Sequence, residues 1–176
     1  MKLSKKLIFP VSGLVVSLLI SLGPLLVTGW SHLRYGNSIN YGGRSLTMPL
    51  RWYGRLEGDH IILSKLSPTV FAKIPSSTLV AFWPVRNPPK NEAEEDSAYQ
   101  SFASIYWTYL ASGGGETKGP FEKGSGEKKA VCMRTSVIKD KWVSVSCLVF
   151  RGTWNATFYG EPKEIDLFYQ IIQGSR

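Results

Sequence analysis

The chain has 176 residues, 43% of them hydrophobic, and its 21 Lys and Arg against 13 Asp and Glu give a formal net charge of +8 at pH 7. This length accommodates one domain of ordinary size with its own core. The basic surplus could favour anionic lipids or acidic envelope polymers, but it is also typical of a solvated surface. No motif that reads nucleic acid is present, so nucleic acid is not expected as a partner.

Residues 7–30 form an uncharged run rich in Leu, Val and Ile, preceded by three lysines within the first six residues. As a helix, this run would extend about 36 Å, enough to cross a hydrocarbon core of about 30 Å. It is longer than the apolar part of a signal peptide and no Ala-x-Ala site follows it, which favours an uncleaved anchor over a cleaved signal peptide. The clustered lysines favour a cytoplasmic N-terminus.

The sequence therefore predicts a single-pass membrane protein in four parts. These are a basic cytoplasmic N-terminus at 1–6, a transmembrane anchor at 7–30, a polar juxtamembrane linker at 31–44 and an extracytoplasmic domain at 45–176. The membrane itself is thus one expected partner.

Beyond the linker, alternating apolar residues predict strands, and glycine and proline mark the turns between them. The predicted strands cover 45–52, 60–66, 70–74, 79–85, 130–138, 142–150 and 154–158. The run from Leu79 to Val85 is almost continuously apolar, as expected of a strand covered on both faces. Glu57-Gly58-Asp59 predicts the turn of a first hairpin.

Two helices are predicted in this domain. Asn91 can cap the first, and the acidic residues that follow suit the positive end of its dipole. Those residues are Glu92, Glu94, Glu95 and Asp96. Gly113 ends this helix, and the second follows Pro162 and ends at Gly174. The glycine-rich segment 113–129 is expected to be a mobile loop. The predicted fold class is α+β, an antiparallel sheet packed against two helices and preceded by one N-terminal transmembrane helix.

Cys132 and Cys147 are the only cysteines, and each lies in one of two predicted strands joined by residues 139–141. If the hairpin turns at Lys139-Asp140, the two cysteines stand directly opposite each other, close enough to bridge. An oxidising compartment would make them a disulfide. Two buried thiols, or a register shifted by one residue, are the alternatives. Two thiols without a nearby His do not predict a metal site.

Three stretches together resemble a known family. They are Ser45-Leu-Thr-Met-Pro-Leu-Arg-Trp52 with the hairpin after it, Gly152-Thr-Trp-Asn-Ala-Thr-Phe-Tyr-Gly160, and Leu167-Phe-Tyr-Gln-Ile-Ile-Gln173. In this pattern the chain resembles the PsbP-like family of exported or lumenal domains, over about residues 41 to 174. The resemblance implies a binding or assembly module and carries over no functional residue.

The sequence shows no catalytic machinery. His32 and His60 are the only histidines, and Asp59 and His60 are not expected to form a dyad because adjacent strand residues point to opposite faces. No Gly-x-Ser-x-Gly elbow or phosphate-binding loop is present. Helix capping accounts for the acidic run at 92–96. No catalytic residue, metal ligand or cofactor is therefore predicted, and Asn155-Ala-Thr157 is only a weak glycan acceptor sequence.

Tyr106, Trp107 and Tyr109 lie too close together on the predicted helix for all three to face one core. At least one is expected to reach the surface, where it could contact a ligand, the bilayer or a partner. The sequence thus favours a non-catalytic, membrane-anchored extracytoplasmic module that binds a protein partner or an envelope component. An envelope hydrolase whose carboxylates converge only in the fold, and a small subunit of a transport or secretion complex, are the alternatives.

Overall fold

A computed structural model describes residues 5–50, 52–65, 78–112, 116–138 and 142–174, without the side chains at 5–12, 19–21, 24, 35, 109–112 and 137–138. Its elements, in chain order, are α1 (Lys5–Tyr35), β1 (Ser38–Tyr41), β2 (Arg44–Thr47), β3 (Trp52–Glu57), β4 (His60–Lys65), β5 (Leu79–Pro84), α2 (Glu92–Ser112), β6 (Thr117–Lys123), β7 (Ala130–Ile138), β8 (Trp142–Val149), β9 (Trp154–Gly160) and α3 (Ile165–Gly174). The strand expected at 70–74 lies outside the described residues.

Seven strands form one antiparallel sheet in the order β3-β4-β5-β9-β8-β7-β6, and β1 and β2 form a separate two-stranded sheet. The predicted fold class is therefore wrong, because the domain is a sheet-rich fold with two sheets and not one sheet with two helices. Two short-range signals misled the prediction. Glycines at 42 and 43 lie in the turn between β1 and β2, where a linker was expected, and β6 occupies part of the segment 113–129 that was expected to be a loop.

The predicted transmembrane helix is part of the same correction. Within the described part of the chain, no helix combines the length and the apolar character needed to cross a membrane.

The larger core lies on one side of the seven-stranded sheet, called here the α3 face. Alternate residues of β4, β5, β7, β8 and β9 point into it, and α3 and the β1-β2 hairpin cover it. The ring centroids of Phe158 on β9 and Phe168 on α3 lie 5.6 Å apart. Full burial of one such side chain stabilises the fold by about 1.5–3 kcal/mol. At Gly54 of β3, a Cβ would overlap the side chain of Ile39, so the hairpin rests directly on the sheet backbone.

The smaller core lies on the opposite side, called here the α2 face. Tyr99 and Phe102 of α2 pack there against Val131, Met133 and Leu148 of β7 and β8. The cap of α2 is as predicted, since the backbone N–H of Glu94 donates to Oδ1 of Asn91 at 2.9 Å. The helix covers one side of this face, and its main strand contacts are with β6 and β7.

The β7-β8 hairpin has the predicted register. Cys132 pairs directly with Cys147, and the two form a disulfide whose cysteines are fully buried in the larger core. The turn expected at 139–141 lies outside the described residues. The central position of β5, which pairs with β4 and β9, also agrees with its nearly continuous apolar sequence.

Candidate functional site

The turn between β8 and β9 shapes two neighbouring surfaces. Phe150 and Arg151 both have positive φ angles, 52° and 58°, a left-handed conformation that non-glycine residues seldom adopt. The carbonyl of Phe150 accepts hydrogen bonds from the backbone N–H of Thr153 at 3.2 Å and from its Oγ1 at 2.6 Å. These bonds hold the turn, which leaves Phe150 buried and Arg151 exposed.

On the exposed side, Arg151 borders a charged cavity of about 410 Å³ between the start of α2 and residues 126–129. Its Nε lies 3.0 Å from Oε2 of Glu95. Burial, followed by the charge of Glu95, raises the pKa of the Tyr99 hydroxyl above its usual range. The remaining acidic residues of the cavity are exposed: Glu92, Asp96 and Glu127.

This cavity gives the predicted hydrolase alternative no specific support. General acid–base catalysis needs a carboxyl group that its surroundings shelter from water and hold near a reacting atom. Here the one half-buried carboxylate, Glu95, is already paired with Arg151, and Lys129 also lines the cavity. Among the described residues, no three His, Cys, Asp or Glu side chains are grouped so that they could hold a metal ion.

On the other side of the same turn lies a second cavity, of about 380 Å³, called here the Arg44 pocket. It is lined by Tyr41, Gly42, Arg44, Pro84, Val85, Pro88, Thr153 and Trp154. Tyr41 pairs with Arg44 across the two-residue turn Gly42-Gly43, whose glycines both have positive φ angles. A turn of this kind closes a tight hairpin and fixes the residues on both sides of it.

The walls of the Arg44 pocket are firmly placed. The guanidinium carbon of Arg44 lies 4.8 Å from the ring centroid of Phe150, a cation–π distance. The rings of Tyr41 and Trp154 meet edge to face, with centroids 6.0 Å apart. The backbone N–H of Val85 donates to the carbonyl of Thr153 at 2.8 Å, which ties the end of β5 to the turn.

A third surface is the part of the α2 face on β5, β9 and β8, called here the open face. Its residues are Leu79, Ala81, Trp83, Trp142, Ser144, Ser146, Asn155, Thr157 and Tyr159, and none of them is charged. All of them are half-buried except Ser146, which is buried, and Tyr159, which is 36% exposed.

Two stacked ring pairs border the open face. Trp142 stacks on Tyr159 with centroids 5.3 Å apart, and His60 stacks on Trp83 with centroids 5.5 Å apart. Asn155 pairs with Trp83 across the strands, and Tyr159 follows it by four residues on β9. Because a strand rises about 3.4 Å per residue, the two stacks lie about 14 Å apart along β9.

Hydroxyl groups occupy the sheet between these stacks. The hydroxyls of Ser146 and Thr157 lie 3.4 Å apart, and Ser144 pairs directly with Tyr159. On β7, Thr135 pairs with Ser144. Within the described part of the chain, Oγ1 of Thr135 is the buried side-chain polar atom that has no hydrogen-bond partner. The open face can therefore exchange hydrogen bonds and pack against rings, but it presents no formal charge.

The aromatic residues predicted to contact a ligand belong to α2, whereas the open face belongs to β5, β8 and β9. Trp107 is 51% exposed on α2, whereas Tyr106 packs against Phe102 with ring centroids 4.5 Å apart. The side chain of Tyr109 lies outside the described residues. Sequence reasoning missed Trp83, Trp142 and Tyr159 as surface residues because aromatic residues on strands usually indicate burial.

Both histidines make contacts that the sequence did not predict. His60 is exposed, and its Nδ1 lies 2.6 Å from Oδ1 of Asp59. The expectation that these two side chains point apart is wrong, because Asp59 belongs to the turn and not to the strand. Nε2 of His32, at the end of α1, lies 2.8 Å from the carbonyl oxygen of Trp52.

In comparisons with known proteins, neither a protein-family model nor a curated protein matches the chain.

Proposed function

We propose that this chain is a non-catalytic extracytoplasmic module that binds a neutral, hydroxyl-rich envelope polymer through its open face. The observation that carries the proposal is an uncharged, half-exposed sheet surface in which hydroxyl side chains lie between two aromatic stacks. The resemblance to PsbP-like exported domains, which leans towards a binding role, agrees with it.

The chemistry of a neutral polysaccharide suits this surface. A sugar ring offers an apolar C–H face that packs on an aromatic ring, and hydroxyls that both donate and accept hydrogen bonds. Serine, threonine and asparagine side chains also both donate and accept hydrogen bonds. An acidic polymer would instead call for Arg or Lys, and the open face carries neither. The unsatisfied hydroxyl of Thr135 beside Ser144 adds to the polar character of this part of the sheet.

The compartment is part of the proposal, and the disulfide supports it. Disulfides persist in secreted, periplasmic and lumenal proteins and are rare where thiols are kept reduced. Membrane attachment and a cytoplasmic N-terminus stay predictions from the sequence. Fractionation and protease protection in intact cells test them, and resistance of the domain to protease added outside would contradict the extracytoplasmic assignment.

Binding to a panel of soluble neutral oligosaccharides, measured by calorimetry, tests the ligand. We expect Tyr159→Ala and Trp142→Ala each to weaken binding about tenfold, equivalent to about 1.4 kcal/mol. Trp107→Ala is the matched control, because it removes an exposed aromatic residue from α2 and should leave binding unchanged. An acidic oligosaccharide of equal length should bind less tightly than the neutral one.

A bulky charged substitution in the centre of the open face, Thr157→Arg, separates the possible outcomes. If a purified protein partner binds the wild type but not this variant, and no sugar binds either protein, the open face binds a protein. The glycan assignment is then wrong. If the folded Thr157→Arg variant binds components of its native membrane or envelope fraction as tightly as the wild type does, the open face has no binding role.

A further inference from the structure

We infer that the Arg44 pocket binds a small organic anion, an apolar ring or chain that carries one carboxylate. The inference is independent of the open face, because Tyr41 and Trp154 of the pocket pack against the core of the opposite, α3 face. The pocket is open to solvent, and its volume of about 380 Å³ and its mixture of apolar walls with a few polar groups fall within the range of small-ligand clefts, about 300–1,000 Å³.

The walls of the pocket suit an apolar body. The apolar part of the lining comes from Tyr41, Pro84, Val85, Pro88 and Trp154. The pocket is not filled by a side chain from the hairpin turn, because that turn is glycine. A Cβ on Gly42 would approach Cζ2 of Trp154 to 2.7 Å, so the turn backbone lies directly beside the indole.

The charge of the pocket selects an anion. Arg44 is the one charged residue that lines it, and within the described part of the chain no carboxylate lies within ion-pairing distance of its guanidinium. Arg86, which stands between the lining residues Val85 and Pro88, likewise makes no ion pair there. An Arg held in place at an apolar surface can bind a carboxylate through two parallel hydrogen bonds.

The geometry also fixes where the ligand carboxylate would lie. The Phe150 ring supports one face of the guanidinium at 4.8 Å, and the glycine turn holds the Arg44 backbone, so the cation is positioned before a ligand arrives. Thr153, which also lines the pocket, donates two hydrogen bonds to the carbonyl of Phe150. A ligand would place its carboxylate at Arg44 and its apolar part between the proline and aromatic walls.

The test uses 1-naphthoate as the probe and 1-naphthamide as its neutral counterpart, each titrated into the full chain and followed by NMR and tryptophan fluorescence. We expect the carboxylate to bind the wild type at least tenfold more tightly than the amide. Arg44→Gln should weaken naphthoate binding at least tenfold and leave amide binding unchanged. Arg55→Gln is the control, because Arg55 is an exposed arginine paired with Glu57 on β3.

Arg44→Lys guards against a folding defect, because it keeps the charge while removing the guanidinium fork. We expect it to fold and to bind naphthoate with an affinity between those of the wild type and Arg44→Gln. Equal affinity for naphthoate and naphthamide, or unchanged naphthoate binding by folded Arg44→Gln, would overturn the inference. So would the absence of naphthoate binding to the wild type at millimolar concentration.

The carboxylate could come from a free acid or from the end of a peptide, and a second pair of probes distinguishes the two. A pentapeptide ending in Phe with a free carboxylate is compared with the same peptide amidated. If the free peptide binds more tightly than naphthoate, the pocket takes a chain terminus. If only naphthoate binds, it takes a free acid.

Discussion

At the scale of single residues, Glu164 holds the start of α3 to the sheet. Its two carboxylate oxygens accept hydrogen bonds from Nζ of Lys65 at the end of β4 and from the hydroxyl of Thr78 just before β5. The Glu164 side chain is only 10% exposed. Burial alone would raise the pKa of this carboxyl, but the hydrogen bonds from Lys65 and Thr78 outweigh it and lower the pKa.

Replacing Glu164 with Gln should therefore destabilise the fold in a pH-dependent way. Because the folded pKa is depressed, the stabilisation by Glu164 is fully present above the unfolded value of 4.5 and is lost as the pH falls through the folded pKa. At pH 7 we expect a loss of about 1.5–3 kcal/mol in unfolding free energy. The difference from the wild type should shrink as the pH falls below about 4.

Chemical denaturation of both proteins between pH 3 and pH 7 measures this effect. Glu161→Gln is the control, since Glu161 forms an exposed surface pair with Lys163 and its replacement should change the unfolding free energy much less. If Glu164→Gln lowered the unfolding free energy by the same amount at every pH, the side chain would act through packing and not through its charge.

Residue positions differ in how well a sequence reveals them. The partners Cys132 and Cys147 could be predicted, because two strands and a short turn leave few possible registers. Arg44 could not, because its role depends on Phe150 and Pro88, which are distant in the chain and meet only in the fold. The sequence signal near Arg44 was the Gly42-Gly43 pair, which indicates a tight hairpin turn as well as a linker.

At the scale of elements, the β7-β8 hairpin carries the next prediction. The disulfide closes a segment with a sequence separation of 15, and a loop of this length stabilises a fold by about 3 kcal/mol through the unfolded state. We expect the double variant Cys132→Ala and Cys147→Ala to lose about that much unfolding free energy in guanidinium titrations.

The reduced wild-type chain is the matched comparison, because it keeps both side-chain volumes in the core. A double variant much less stable than the reduced wild type would show that the cavity left by the two buried sulfur atoms adds its own cost to the loss of the crosslink. An unfolding midpoint that neither reduction nor substitution moves would contradict the prediction. Thiol alkylation of protein from its native compartment should find no free cysteine.

The sequence predicted secondary-structure elements well where they are long and regular, and poorly where glycine and proline occur inside strands. β6 contains Gly119-Pro120 and shifts its register against β7 there. Its position at the sheet edge explains both features, because an edge strand can lose hydrogen bonds on one side without leaving a buried backbone group unpaired. Local composition therefore predicted a loop where tertiary pairing makes a strand.

At the scale of the whole molecule, the arrangement of the sheet lay beyond what the sequence reveals. The hairpins β3-β4 and β7-β8 join neighbours in the chain, whereas residues of β5 pair with residues of β9 that lie 70 to 80 positions later. That pairing joins β3-β4-β5 to β9-β8-β7-β6 and brings together the strands that form the open face. A surface made of distant strands has no local sequence pattern, which is why both proposed sites were found only in the fold.

The last prediction concerns α1, none of whose described side chains belongs to either hydrophobic core. Those cores and the residues packed on them begin at Ile39. The exposed large hydrophobic side chains of α1 are Leu14, Val15, Val16, Leu18, Leu22, Leu26, Val27, Trp30 and Leu33. We expect a chain that starts at residue 31 to fold with an unfolding free energy within about 1 kcal/mol of the full chain.

Near-UV circular dichroism and urea titration of the two chains, at equal low concentration because exposed apolar surface promotes association, measure this difference. His32→Ala in the full chain is the companion variant, because it removes the contact with the Trp52 carbonyl and should cost about 1 kcal/mol. If the shorter chain lost its tertiary signal while His32→Ala kept it, α1 would stabilise the domain beyond this one contact. The sheet would then not be an independently folding unit, and binding at either proposed site would have to be measured only in the full chain.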